Sequence, residues 1–125
     1  MFYTFVQNNS GGKYHRDDEV TMYVILEADS ARDANHLACS HGIYFFGTST
    51  GKDCSCCGDR WEQVSDEDGN EAPLVYGQDP KDLAGFYHDG GVYARVFFKN
   101  GYVQEHRVCV KNTKPKKSGW FTANF

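Results

Sequence analysis

Residues 92–99, then Asn100-Gly101, then residues 102–110 constrain the fold more than any other stretch of the chain. Two β-prone runs are separated by Asn-Gly, the pair best able to take the two positive φ values of a two-residue hairpin turn. In that reading Lys99 opposes Tyr102, Phe97 opposes Gln104, Arg95 opposes His106 and Tyr93 opposes Val108. Val92, Ala94, Val96, Phe98, Val103 and Cys109 then face the core, with Cys109 a small buried hydrophobe beside Val92. Tyr93, Arg95, Tyr102, Gln104 and His106 take the other face. That face reads either as a solvated outer surface or as a ligand-binding surface built on Tyr93, Arg95, Tyr102 and His106.

The rest of the chain supplies partners for this hairpin. Residues 2–7 read as a strand, ended by the loop Asn8-Asn9-Ser10-Gly11-Gly12. That loop is most simply a turn, although its amides could also wrap an anion. Residues 20–27 read as a second strand with Val20, Met22, Val24 and Leu26 on one face and Tyr23 and Ile25 on the other. Apolar residues on both faces predict a central strand. Asp29 or Ser30 caps a helix over residues 31–41, with Ala34, Leu37, Ala38 and His41 as its buried stripe and Gly42 just beyond its end. Short strands are expected at 43–46 and 60–64, a brief edge strand at 74–76 and one helical turn within 79–85. The acidic stretch 65–72 reads as the most mobile internal loop. The order predicts one α+β domain over residues 1–125: a mostly antiparallel sheet, one principal helix packed on one side of it, and a C-terminal β-hairpin. A flexible Lys-rich segment is expected at 111–125, ending in Trp120, Phe121 and Phe125, which could dock on the body or on a partner.

The sharpest chemical feature is Cys54-Ser55-Cys56-Cys57-Gly58, followed by Asp59-Arg60-Trp61. Cys54 and Cys57 have the C-x-x-C spacing of a zinc knuckle, in which a turn aims two thiolates at one metal. Structural zinc needs four ligands, and Cys56, Cys39, His36 or His41 could complete the set. The same residues suit a tight turn packed against Trp61, or a reactive thiol activated by Arg60. The candidate metal ligands are therefore Cys54, Cys57, Cys56 and Cys39, with zinc as the cofactor. The N-terminus has no basic region followed by a long apolar run, which predicts no signal peptide. A reducing compartment follows, in which five cysteines serve as thiols or ligands rather than as a disulfide framework.

The net charge of -4 is unevenly spread: residues 53–82 are strongly acidic, whereas from Lys99 onward cations prevail. A sequence pI near 5.6 argues against a dedicated nucleic-acid binder, and no apolar run is long enough to span a membrane. No phosphate-binding glycine loop and no family-type nucleophile motif is present. The reading is therefore of a non-enzymatic protein.

The opening Met1-Phe2-Tyr3-Thr4-Phe5-Val6-Gln7-Asn8-Asn9-Ser10-Gly11-Gly12 and the run Asp53-Cys54-Ser55-Cys56-Cys57-Gly58-Asp59-Arg60-Trp61 resemble a family of small uncharacterised proteins encoded by tailed bacteriophages. The resemblance covers about the first half of the chain and carries no activity with it. It implies a phage-encoded accessory protein in the host bacterial cytoplasm that binds a host or anti-phage defence protein. The alternatives are sequestration of a nucleotide signalling molecule on the Tyr93, Arg95, Tyr102 and His106 face together with the Asn8-Asn9-Ser10-Gly11-Gly12 loop, and a zinc-stabilised nucleic-acid-binding module using the basic tail.

Overall fold

The structure is a computed structural model that describes residues 1–8, 17, 19–86 and 91–107. The elements in order are β1 (Phe2–Val6), β2 (Tyr23–Glu27), α1 (Ala31–Ser40), α2 (Gly47–Thr50), 3₁₀ turns at Asp66–Asp68 and Pro80–Phe86, β3 (Val92–Phe97) and β4 (Val103–Arg107). The strands form one sheet in the order β1-β2-β3-β4. β1 pairs antiparallel with β2 and β3 antiparallel with β4, while β2 and β3 run parallel. The fold is α+β, with one main helix and a C-terminal hairpin. No helix among the described residues is long and apolar enough to cross a membrane.

The two-faced pattern of β2 does make it central. Val24 and Leu26 join Tyr3, Phe5, Ala34, Ala38 and Trp61 in one core, on the α1 side. Tyr23 and Ile25 join Phe2, Val75, Leu83, Ala94 and Val96 in a second core on the opposite side. The sheet is thus covered on both faces, not only by the helix, because residues 70–86 fold back beneath it. Met22 goes to the second core, away from Val20, so the strict alternation begins only at Tyr23.

Helix α1 starts where Ser30 Oγ accepts from the Asp33 amide at 3.2 Å. Its buried residues are Ala31, Ala34 and Ala38, whereas Leu37 is exposed. Small side chains on the inner face let the helix lie close to the sheet. Asn35 then clips the chain to it, donating to Val64 O at 3.0 Å and accepting from Val64 N at 2.9 Å. These bonds replace the strand expected at 60–64. The strand expected at 43–46 is absent too: Ile43 is buried under the helix end and the chain turns into α2.

The acidic stretch 65–72 is tied down rather than free. Ser65 and Asp68 form a reciprocal capping box, the Ala31 amide donates to Asp66 Oδ1 at 2.9 Å, and Asn70 bridges to Phe2. Its carboxylates cap backbone amides, which is why so polar a segment has a defined shape. The turn expected within 79–85 is present as the Pro80–Phe86 segment.

The hairpin differs from expectation by one residue. Phe98 N donates to Tyr102 O at 2.9 Å and Gly101 N to Phe98 O at 2.9 Å, so Lys99, Asn100 and Gly101 form a three-residue loop. Gly101 alone has positive φ, +94°. This is a type I turn closed by a left-handed glycine. Phe97 therefore opposes Val103, Arg95 opposes Glu105 and Ala94 opposes His106, with an irregularity between Val92 and Ala94. Val103 is exposed rather than in the core, and Tyr93 is buried rather than on the surface. Val108, Cys109, the 9–12 loop and the 111–125 segment lie outside the described residues.

Candidate functional site

The loop from Tyr44 to Arg60 is organised by two carboxylates. Asp53 accepts from Tyr44 OH at 2.6 Å and from the Arg60 amide at 2.8 Å, while its own amide donates to Gly47 O at 3.0 Å. Asp59 Oδ1 accepts from the Thr48 amide at 2.9 Å, and this hydrogen bonding holds its carboxyl below the ordinary range. Burial, and then the bond to Asp53, push the Tyr44 hydroxyl up. With Asp53 and Asp59 fixed, the segment between them can expose its cysteines.

Gly58 has a φ of +85°, and Cys57 N and Gly58 N both donate to Cys54 O at 3.2 Å. This is the tight turn that the spacing predicts. Its sulfur chemistry differs: Cys54 and Cys56 are joined as a disulfide, and Cys57 Sγ lies 3.5 Å from Cys56 Sγ. Cys54 and Cys56 are exposed, and Trp61 is buried in the core, so the cysteines do not pack around the indole. Cys39 lines a separate groove with His36 and Phe45, and His41 Nδ1 pairs with Glu19 Oε1. Among the described residues no group of three His, Cys, Asp or Glu side chains is arranged to hold a metal ion.

The four proposed ligand residues do not share a face. Tyr93 and His106 come together, their rings 6.3 Å apart, beside the Pro80–Phe86 turn, where Tyr93 OH donates to Pro80 O at 2.6 Å. Burial pulls the His106 pKa below its ordinary value, against the opposing pull of Asp79. Its Nε2 is buried and has no hydrogen-bond partner among the described residues. Arg95 points to the α1 side, held by Glu105 Oε2 at 2.9 Å and by Asp17 O at 2.8 Å. Glu105 is depressed by that pairing. Tyr102 sits at the hairpin loop, its ring 5.4 Å from Phe98. The one-residue shift of the hairpin parts Arg95 from His106, and the irregularity between Val92 and Ala94 puts Tyr93 with Ala94 and Val96, on the side away from Arg95.

A site not singled out from sequence lies along the outer edge of β1. An open groove of about 850 Å³ runs between Thr4, Val6 and Asn8 on one side and Arg60, Glu62 and Val64 on the other. Tyr76 stands at its rim. Tyr76 and Gly77 have φ of 51° and 78°, and Val75 and Gln78 exchange hydrogen bonds of 2.8 and 2.9 Å. This is the tight two-residue turn with two positive φ values, and it falls here rather than at Asn100-Gly101. Tyr76 is 75% exposed. Phe46, which precedes α2, is likewise held at a φ of 59° and is 57% exposed. The only sequence signal for either was an aromatic beside a glycine.

The fold and these open grooves define a small α+β protein. The family model described as a domain of unknown function, DUF7296, matches residues 1–115, and the chain belongs to that family. No curated protein and no solved structure matches the chain.

Proposed function

We propose that this is a phage-encoded accessory protein of the host bacterial cytoplasm that acts without catalysis, by binding a host or anti-phage defence protein. One observation carries the reading: Tyr76 and Phe46 are bulky residues held in the left-handed region with their rings turned to solvent. Each such conformation costs roughly 1 kcal/mol or more and is normally kept where the surroundings or a function require it. Neither ring gains much burial in the free protein. An exposed aromatic on a fixed turn is the kind of group that anchors a protein interface.

The nucleotide-sequestering alternative has weaker support, because Arg95 faces away from Tyr93 and His106. The nucleic-acid alternative depends on the basic tail, outside the described residues, and on zinc. The test is capture of the tagged protein from infected cells beside its Tyr76→Gly and Phe46→Gly variants. Glycine removes the ring and relieves the backbone together, so these variants fold. A stoichiometric protein partner that is retained by the wild type and lost from the variants is expected. Recovery of the wild type with a bound nucleotide or nucleic acid and no protein would overturn the reading.

A further inference from the structure

The outer edge of β1 is closed at both ends and open in the middle. At one end Phe2 N donates to Asn70 O at 2.7 Å and Asn70 N to Phe2 O at 2.9 Å. At the other, Asn8 N donates to Arg60 O at 2.9 Å. Gln7 N points the opposite way, to Met22 O at 2.9 Å next to β2. Main-chain groups alternate along a strand, so those of Thr4 and Val6 point outward with those of Phe2 and Asn8. No described residue pairs with them. The segment between Arg60 and Asn70 swings away, drawn to α1 by Asn35 and Asp66, and the groove is the space it leaves.

An unpaired strand edge is a template for another strand, and proteins commonly cover or charge such edges to prevent uncontrolled pairing. Here the two closures leave a slot of roughly 20 Å, six residue steps of β-strand. That admits one short extended segment and hinders pairing with the broad edge of a second sheet. Among the described residues the lining is acidic: Asp59, Glu62, Glu67 and Asp68 against one cation, Arg60. Arg60 is turned to Gln7 Oε1 at 2.6 Å. Asp59 and Asp68 cap backbone amides, while Glu62 and Glu67 are exposed and make no ion pair among the described residues.

We propose that the slot beside Thr4 and Val6 receives an extended, lysine- or arginine-bearing segment of the partner protein as an added strand, with Tyr76 packing on its flank. This rests on the protein-binding reading above and names where and what it binds. The main-chain groups of Thr4 and Val6 supply pairing, and Glu62 and Glu67 select cationic side chains.

The test uses the full chain, labelled for amide exchange by NMR, and three synthetic seven-residue peptides. One alternates valine and lysine, one replaces lysine with glutamate, and one carries N-methyl groups on the amides meant to face β1. In the free protein the Thr4 and Val6 amides are expected to exchange quickly at every concentration. The valine-lysine peptide slows them, the other two peptides do not, and Glu62→Gln with Glu67→Gln weakens its binding by about tenfold. No protection by the valine-lysine peptide, or equal protection by the glutamate peptide, overturns the proposal. So does protection in the free protein: if independent of concentration, the chain's own residues fill the slot, and if it grows with concentration, a second copy does. A partner lost on Tyr76→Gly or Phe46→Gly, with Thr4 and Val6 still unprotected in the complex, would sink this inference and leave the binding reading standing.

Discussion

The carboxylate of Asp53 occupies the space that a side chain on Gly47 would need. A methyl group built there lies 2.5 Å from Asp53 Cγ, closer still to Oδ2, and 2.9 Å from Tyr44 Cε1. Gly47 is not in the left-handed region, so its requirement is for space alone. Gly47→Ala should therefore destabilise by about 1–3 kcal/mol, the usual cost of overpacking. In an Asp53→Ala background the same substitution should cost less, because the obstructing carboxylate is gone. Denaturant unfolding of the four proteins measures the coupling, and equal costs in both backgrounds would refute it.

The three-residue hairpin loop makes Asn100 and Gly101 unequal. Gly101→Val should cost about 1 kcal/mol or more, since valine resists a φ of +94° and nothing lies near enough to clash. Asn100 is not at positive φ and holds the loop only by accepting from Tyr102 N at 2.9 Å. Asn100→Val should lose no more than about 1 kcal/mol, one hydrogen bond. A two-residue turn, with positive φ at both positions, would make the two substitutions similarly damaging. Urea midpoints decide between them.

His106 should make stability depend on pH in the mildly acidic range. Burial lowers its pKa in the folded state, so the unfolded chain binds the proton more readily. The stabilisation is fully present above the unfolded value of about 6.5 and is lost as pH falls from there through the lower folded value. The melting temperature should drop as pH falls below about 6.5 and level off, with respect to this group, only below its lower folded value. His106→Gln should flatten that slope. A wild-type slope unchanged by the substitution would assign the dependence to another group.

The bridge between Cys54 and Cys56 and a zinc site would draw on the same sulfurs, so the two exclude each other. Thiol titration of the unfolded protein should gain two thiols on reduction, those of Cys54 and Cys56. The unreduced protein should carry no stoichiometric zinc, and a chelator should leave its melting curve unchanged. Elemental analysis showing one zinc per chain, with all five thiols titrating before reduction, would replace the bridge with a metal site.

The residues by themselves determined the central position of β2, the start of α1 just after Asp29-Ser30, the tight turn at Gly58 and the presence of a hairpin around Asn100-Gly101. Each is carried by a short-range rule: two apolar faces, a side chain that caps its own helix, a glycine where φ must be positive. The tertiary structure decided what those rules leave open. Asn-Gly suits both a two-residue turn and a type I turn ending in a left-handed glycine, and the choice shifts every pair on β3 and β4. In the loop that forms, Val103 opposes Phe97 and His106 opposes Ala94, one residue from the pairing a two-residue turn would give. The same holds for the acidic segment, whose composition signals exposure but whose shape comes from Ala31, Asn35 and Phe2, far away in the chain. The slot beside Thr4 and Val6 exists only because residues 60 and 70 close on β1 while those between are held elsewhere. Pairings across such separations depend on the packing of the whole sheet, and no local pattern encodes them.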